Sequence, residues 1–215
     1  MSTPELFIDM EMSSLRRQMD VNFYGTAEMS HAILRDWLSP NAPIEKDAKH
    51  LIMTASTAAF YAVAGYGPYS PSKWAMRSLA DTISQELRLY PQNVKVHVVF
   101  PGSITSPGFE RENLTKPLIT RQMEESDPEQ TPDEVAAAAI KGLEAGQYFI
   151  TVNILGKLMR WAGLAYSERN NWLLDFLGAA LMQIISPFFL VDMYMKTSNH
   201  LKLYGHPATV ATHKP

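Results

Sequence analysis

Three short apolar runs separated by helix-length periodic segments set the tightest limit on how this chain can fold. His50–Ala55 (HLIMTA) reads as a buried strand, and Val94–Phe100 (VKVHVVF) is a β-branched strand stopped by Pro101-Gly102. Tyr148–Val152 (YFITV) is the third. Helical segments fall between them, one from about Pro71 to Leu89 after a Gly-rich loop, another from Thr131-Pro132-Asp133-Glu134 to about Ala145. The second has Thr as N-cap, Pro at the first helical position and Glu three residues after the cap, and it ends at Gly146. Upstream, Asp9–Leu38 carries Leu15, Met19, Phe23, Ala27, Ile33, Leu34 and Trp37 at three- and four-residue spacings, which predicts one long helix. The breakers Ser39–Pro43 end it, and Ser103–Pro117 reads as a polar loop. Elements alternating at these lengths predict an α/β fold with a parallel sheet flanked by helices.

At 215 residues the chain has the size of one domain, and an apolar share of 46% supplies a core and excludes wholesale disorder. The 22 acidic and 19 basic residues give a net charge of −3, against the basic excess of a nucleic-acid binder. Cysteine is absent, which removes disulfides, thiolate zinc sites, iron–sulfur clusters and cysteine nucleophiles, and fits a reducing compartment. No metal site is expected. Met1–Met10 has neither the basic nor the apolar region of a secretory signal.

Trp172–Met195 is the one strongly hydrophobic stretch, with a charge-free core from Phe176 to Val191. That core falls short of the roughly 18–20 residues of a confident span, Pro187 interrupts it, and Asp175 and Asp192 bound it at a cost in hydrocarbon. Three readings stand: a membrane-associated or re-entrant segment, a buried C-terminal or subunit-interface helix, and a single span.

Four features carry chemistry. Tyr69 and Lys73 form a Tyr-x-x-x-Lys pair at a helix start, so phenol and ammonium share a face. A fixed positive charge lowers the phenol's free pKa of ~10 toward useful acid–base work, although the bare pair is common on helix surfaces. Ser56 follows the strand HLIMTA, where ligands of parallel α/β sheets bind, and its hydroxyl can serve a developing alkoxide or simply cap a turn. Asn22 is unfavourable inside a long helix, which points to a water-binding relay or to a kink. Pro101-Gly102, followed by Ile104 and Ser106, ends a strand where a glycine admits a flat ligand or merely turns the chain.

Taken together, Asn22, Ser56, Tyr69, Lys73, Pro101 and Gly102 resemble, in order and spacing, the short-chain dehydrogenase/reductase family, over at least Asp9–Val152. The resemblance implies a Rossmann-like sheet and an NAD(P)-dependent oxidoreductase. Tyr69 would be its general acid and Ser56 would polarise the carbonyl. Lys73 would bind the nicotinamide ribose and lower the Tyr69 pKa, and Asn22 would hold a proton-relaying water. Cofactor contacts would come from Tyr69, Lys73, Pro101, Gly102, Ile104 and Ser106, the last standing where the family usually has Thr. Pro107-Gly108-Phe109, Glu112-Asn113 and Thr115-Lys116-Pro117 resemble more narrowly the 3-ketodihydrosphingosine reductases, as do Leu6–Asp9 and Tyr90–Val96 their fungal members. That likeness implies NADPH-dependent reduction of 3-dehydrosphinganine, a long-chain keto-sphingoid base, at the cytosolic face of the endoplasmic reticulum membrane. Related reductases form dimers or tetramers, so a homo-oligomer is open to this chain, and the sequon Asn113-Leu114-Thr115 is then a coincidence. Another apolar ketone as substrate and an inactive partner protein are the competing readings.

The family's Gly-rich first strand–turn–helix has no counterpart before Asn22. Gly65-Tyr66-Gly67 follows no strand and does not replace it. Three βα units, roughly 90 residues, are therefore expected to be missing, with the residue that selects between NAD and NADP among them. The expected division is residues 1–153, the later part of the nucleotide-binding domain, and 154–215, a hydrophobic helical extension.

Overall fold

In the computed structural model, which describes residues 1–207, a three-stranded parallel sheet is flanked by helices. The first helical stretch is α1 (Met12–Met19), a π-helical turn at Asp20–Tyr24, and α2 (Gly25–Trp37). The expected single helix is thus continuous but starts at Met12 and is underwound at Asn22, whose side chain is drawn inward. β1 (Lys49–Thr54), α3 (Ser70–Glu86) and β2 (Val94–Phe100) follow as the periodicity predicts.

The stretch read as a polar loop is more ordered than expected. β3 (Ser103–Ile104) pairs with the later β4 (Glu129–Gln130), and α4 (Pro107–Thr115) and α5 (Leu118–Glu124) lie between them. Ser106 caps α4 by accepting the Phe109 amide at 3.3 Å, and Pro107 takes the first helical position, so its breaker residues in fact start a helix. α6 (Pro132–Glu144) opens with the expected capping box, β5 (Phe149–Thr151) follows, and α7 (Ile154–Ala162) and α8 (Trp172–Tyr204) complete the described chain.

β2 is central, with β1 and β5 as parallel neighbours in the registers Lys49↔Val94 and Val98↔Phe149. Its two faces explain its apolar run. Val96, Val98 and Phe100 pack with Leu51, Met53, Phe149 and α3's Met76, Ala80 and Ile83, while Val99 joins Ile150, Val152 and Val135 of α6. β1 is only half covered. Leu51 and Met53 are buried, whereas Ile52 on the other face is 46% exposed, so the fully buried strand expected there is buried on one side.

α8 runs unbroken through Pro187 and is long and apolar enough, by length and composition, to cross a membrane. Its base is bolted to the sheet domain. Asp175, which the sequence placed as a costly boundary charge, is buried and holds both Arg160 guanidinium nitrogens at 3.0 and 2.5 Å and the Trp161 indole at 2.9 Å. At Gly178 a Cβ would stand 2.3 Å from the Trp161 ring, so only glycine lets α8 approach α7 this closely. Asp175, Gly178 and Met182 face inward, leaving Phe176, Leu177, Ile184 and Phe188 in solvent.

Candidate active site

The site gathers at the carboxyl ends of β1 and β2, the ends at which ligands of parallel α/β sheets bind. Ser56 follows β1 and caps a short 3-10 turn, Thr57–Ala59, by accepting the Ala58 amide at 3.2 Å. Its hydroxyl also lies close enough to the Tyr69 phenol to favour the phenolate. Of the two sequence readings of Ser56, the turn cap is the one the Ala58 hydrogen bond shows, and the same oxygen faces Tyr69.

Tyr69 is the N-cap of α3 and Lys73 stands one turn on, with its ammonium 5.6 Å from the Tyr69 ring centre. Burial pushes the Tyr69 phenol up to about 12, against the Ser56 hydroxyl, which favours the phenolate. Burial likewise brings Lys73 down to about 8. Desolvation, not the Lys73 charge, sets the direction of the phenol's shift in this structure. The Lys73 ammonium has modest partners, the Thr54 carbonyl at 3.3 Å and the Met76 sulfur at 3.9 Å.

Asn22 is 5% exposed and reaches the site through a residue that sequence reasoning passed over. Its amide donates to Ser72 Oγ at 3.0 Å, and Ser72 donates to the Tyr69 carbonyl at 2.7 Å. The same amide donates to the Met1 carbonyl, and the Met1 amine donates to Asn22 Oδ1, both at 2.9 Å. Ser72 lies inside the Tyr-x-x-x-Lys motif, three residues after Tyr69, and that spacing was the available signal.

The Pro101–Ser106 loop is held by two further residues that were missed. The Pro101 carbonyl accepts Thr57 N–H, Thr105 N donates to the Gln130 carbonyl at 2.9 Å, and Asn153 donates to Gln130 Oε1 at 2.8 Å. Gly102 passes against Asn153, Ile104 lies in β3, and Ser106 spends its hydroxyl on capping α4. α4 and α5 are tied by a buried Lys116 to Glu112 and Glu124. No group of metal-ligating side chains occurs among the described residues.

This arrangement can bind a carbonyl oxygen between a hydroxyl and a phenol, with an ammonium behind them. Comparison with known proteins gives the same outline. A family model described as short chain dehydrogenase matches residues 1–117. The 3-ketodihydrosphingosine reductase of Neurospora crassa is 51% identical over 213 residues, covering 97% of this chain and 59% of the relative. That of Aspergillus fumigatus is 40% identical over 222 residues, covering 96% and 60%. The chain thus spans about three fifths of the length of the curated relatives it matches. Among solved structures, a short chain dehydrogenase from Burkholderia cenocepacia in complex with NADP superposes with a TM-score of 0.58 at 21% identity, over 77% of this chain and 62% of that one. One from Sphingobium yanoikuyae in complex with NADPH gives 0.60 at 16%, over 76% and 58%. With the sheet and the Ser–Tyr–Lys grouping in place and the family's model matching more than half its length, the chain belongs to the short chain dehydrogenase family.

Proposed function

We propose that this chain carries the catalytic part of an NADPH-dependent reductase that converts 3-dehydrosphinganine (3-ketodihydrosphingosine) to sphinganine in sphingolipid biosynthesis. One observation carries the reading. Ser56, Tyr69 and Lys73 converge beyond β1 in a chain half identical to a curated 3-ketodihydrosphingosine reductase. The donor set suits the nicotinamide-ribose end of the cofactor, because the buried Lys73 ammonium keeps donors to spare for a diol. Tyr69, Lys73 and the Pro101–Ser106 loop, with Ile104 toward the carboxamide, would hold that end. Among the described residues no Gly-rich strand–turn–helix is available for the pyrophosphate end.

Bound NADPH supplies a hydride to the substrate's carbonyl carbon. Ser56 donates a hydrogen bond to the carbonyl oxygen and steadies its growing negative charge. Tyr69 gives that oxygen its phenolic proton. The neighbouring Lys73 ammonium favours the phenolate left behind, working against the burial that holds the proton on. Asn22, linked to Tyr69 through Ser72, holds the water that returns the proton. Residues 1–153 form the working part and 154–215 an extension whose outward apolar face on α8 docks on the cytosolic side of the endoplasmic reticulum membrane. Homo-oligomers through helix packing belong to the same reading.

NADPH fluorescence on binding, followed by NADPH consumption with 3-ketodihydrosphingosine, tests the proposal. In a protein completed with the expected missing βα units, turnover is expected, with a loss of about 100-fold or more in Tyr69→Phe at nearly unchanged cofactor affinity. Turnover of a steroid or retinoid ketone instead would replace the substrate. Failure to bind NADPH would favour an inactive partner, and unchanged turnover in Tyr69→Phe would refute the general acid.

A further inference from the structure

The α4–α5 segment lies over the loop that leads into Tyr69, and one buried ammonium organises it. Lys116, with 3% of its side chain exposed, sits in the turn between the two helices. It pairs with Glu112 on α4 at 3.2 Å and with Glu124 on α5 at 2.6 Å. Its charge also stands over the rings of Phe109, at 4.8 Å, and Tyr66, at 5.8 Å. Tyr66 donates its phenolic proton to Glu112 at 2.5 Å, and its ring lies 5.6 Å from that of Tyr69. Thr120 on α5 donates to the Ala64 carbonyl at 2.7 Å, against a Gly65 with φ of +95° that no larger residue could replace. On the other side of α5, Gln122 meets His200 near the distal end of α8 at 2.8 Å.

We infer that Lys116 is a positioning residue for Tyr69. It clamps both carboxylates and the Tyr66 ring against the entry to α3, so that the seating of α5, and of the end of α8 attached to it, is felt at the phenol. The inference rests on the reading of Tyr69 as proton donor. Two carboxylates against one ammonium leave an excess negative charge beside the phenol, and both carboxylates favour its protonated form. The charged groups facing Tyr69 are Lys73 on its own helix and Glu112 and Glu124 from α4 and α5, with the Met1 amine near Lys73 and Glu112.

Charge makes the test directional. With ring-labelled tyrosine, carbon-13 NMR of the chain follows the Tyr69 phenol through its alkaline titration, Tyr69→Phe identifying the signal. Glu112→Gln is expected to move the midpoint down by roughly half a unit, and Lys116→Met to delay its onset by a similar amount. Lys116→Arg should restore the wild-type curve. A role confined to holding the fold predicts the opposite for Lys116→Met, since a loosened site lets water reach Tyr69 and drops it toward the free value of ~10. That result, or no shift in either variant, overturns the inference. Turnover separates it from the reading beneath it. Activity surviving in Tyr69→Phe defeats the proton donor, whereas a dead Tyr69→Phe without the opposed shifts defeats only the role of Lys116.

Discussion

Ser72 shows how a hydroxyl can link two helices beside the proposed site without facing it. It accepts the Asn22 amide and donates to the Tyr69 carbonyl, joining the π-helical turn of the first helix to the first turn of α3. Ser72→Ala leaves a buried amide one acceptor short, and a loss of about 1–2 kcal/mol in thermal or denaturant unfolding is the expected outcome. Asp127 offers a test with a sign. Burial, reinforced by Glu124, raises its carboxyl to about 6, so the folded chain prefers the protonated form. Its penalty is therefore absent below the unfolded carboxylate range near ~3.9 and grows as pH rises through about 6. Asp127→Asn should raise the melting temperature at pH 8 and leave it nearly unchanged at pH 4, read by circular dichroism. Both residues bear on what sequence can say. Asn22, Ser56, Tyr69 and Lys73 stand out because their types are odd or paired at their positions. Ser72 and Lys116 are ordinary surface types, and only tertiary packing makes them central.

At the scale of elements, period and punctuation located α3, α6, β2 and β5, whose patterns are set by burial on one or both faces. The misreadings have separate physical causes. Asn22 is pulled inward by Ser72 and Met1, which costs the helix its regular winding there. Ser106-Pro107-Gly108 resembles a loop until the serine is seen to accept the Phe109 amide and so begin α4. β1 reads as buried from its apolar letters, yet burial depends on which faces are covered, and α6 reaches only β2 and β5. Asp175 follows the same logic. A lone carboxylate beside a hydrophobic run looks expensive, whereas Arg160, Trp161 and the amides of Asn170 and Asn171 satisfy it fully. Removing one partner strands the other charge. Asp175→Ala is expected to cost about 3–5 kcal/mol, or to free the base of α8, which limited proteolysis near Trp172 would reveal.

Over the whole molecule, the proposed site residues lie on one rim of the sheet, and α8 is fixed at two distant points, Arg160 at its base and Gln122 near its end. The outward apolar face of α8 predicts flotation with neutral phospholipid vesicles, lost when Phe176, Ile184 and Phe188 are replaced together by serine. The sheet itself carries a different consequence. The outer edge of β1 has no strand beside it among the described residues, and Ile52 lies bare on the adjoining face. Unpaired backbone donors and acceptors next to an exposed isoleucine are a template that a second molecule can extend. In concentrated solution the chain should therefore self-associate strand to strand through β1, independently of lipid. Ile52→Lys, which places a solvated charge on that face, is the single change expected to raise its soluble yield most.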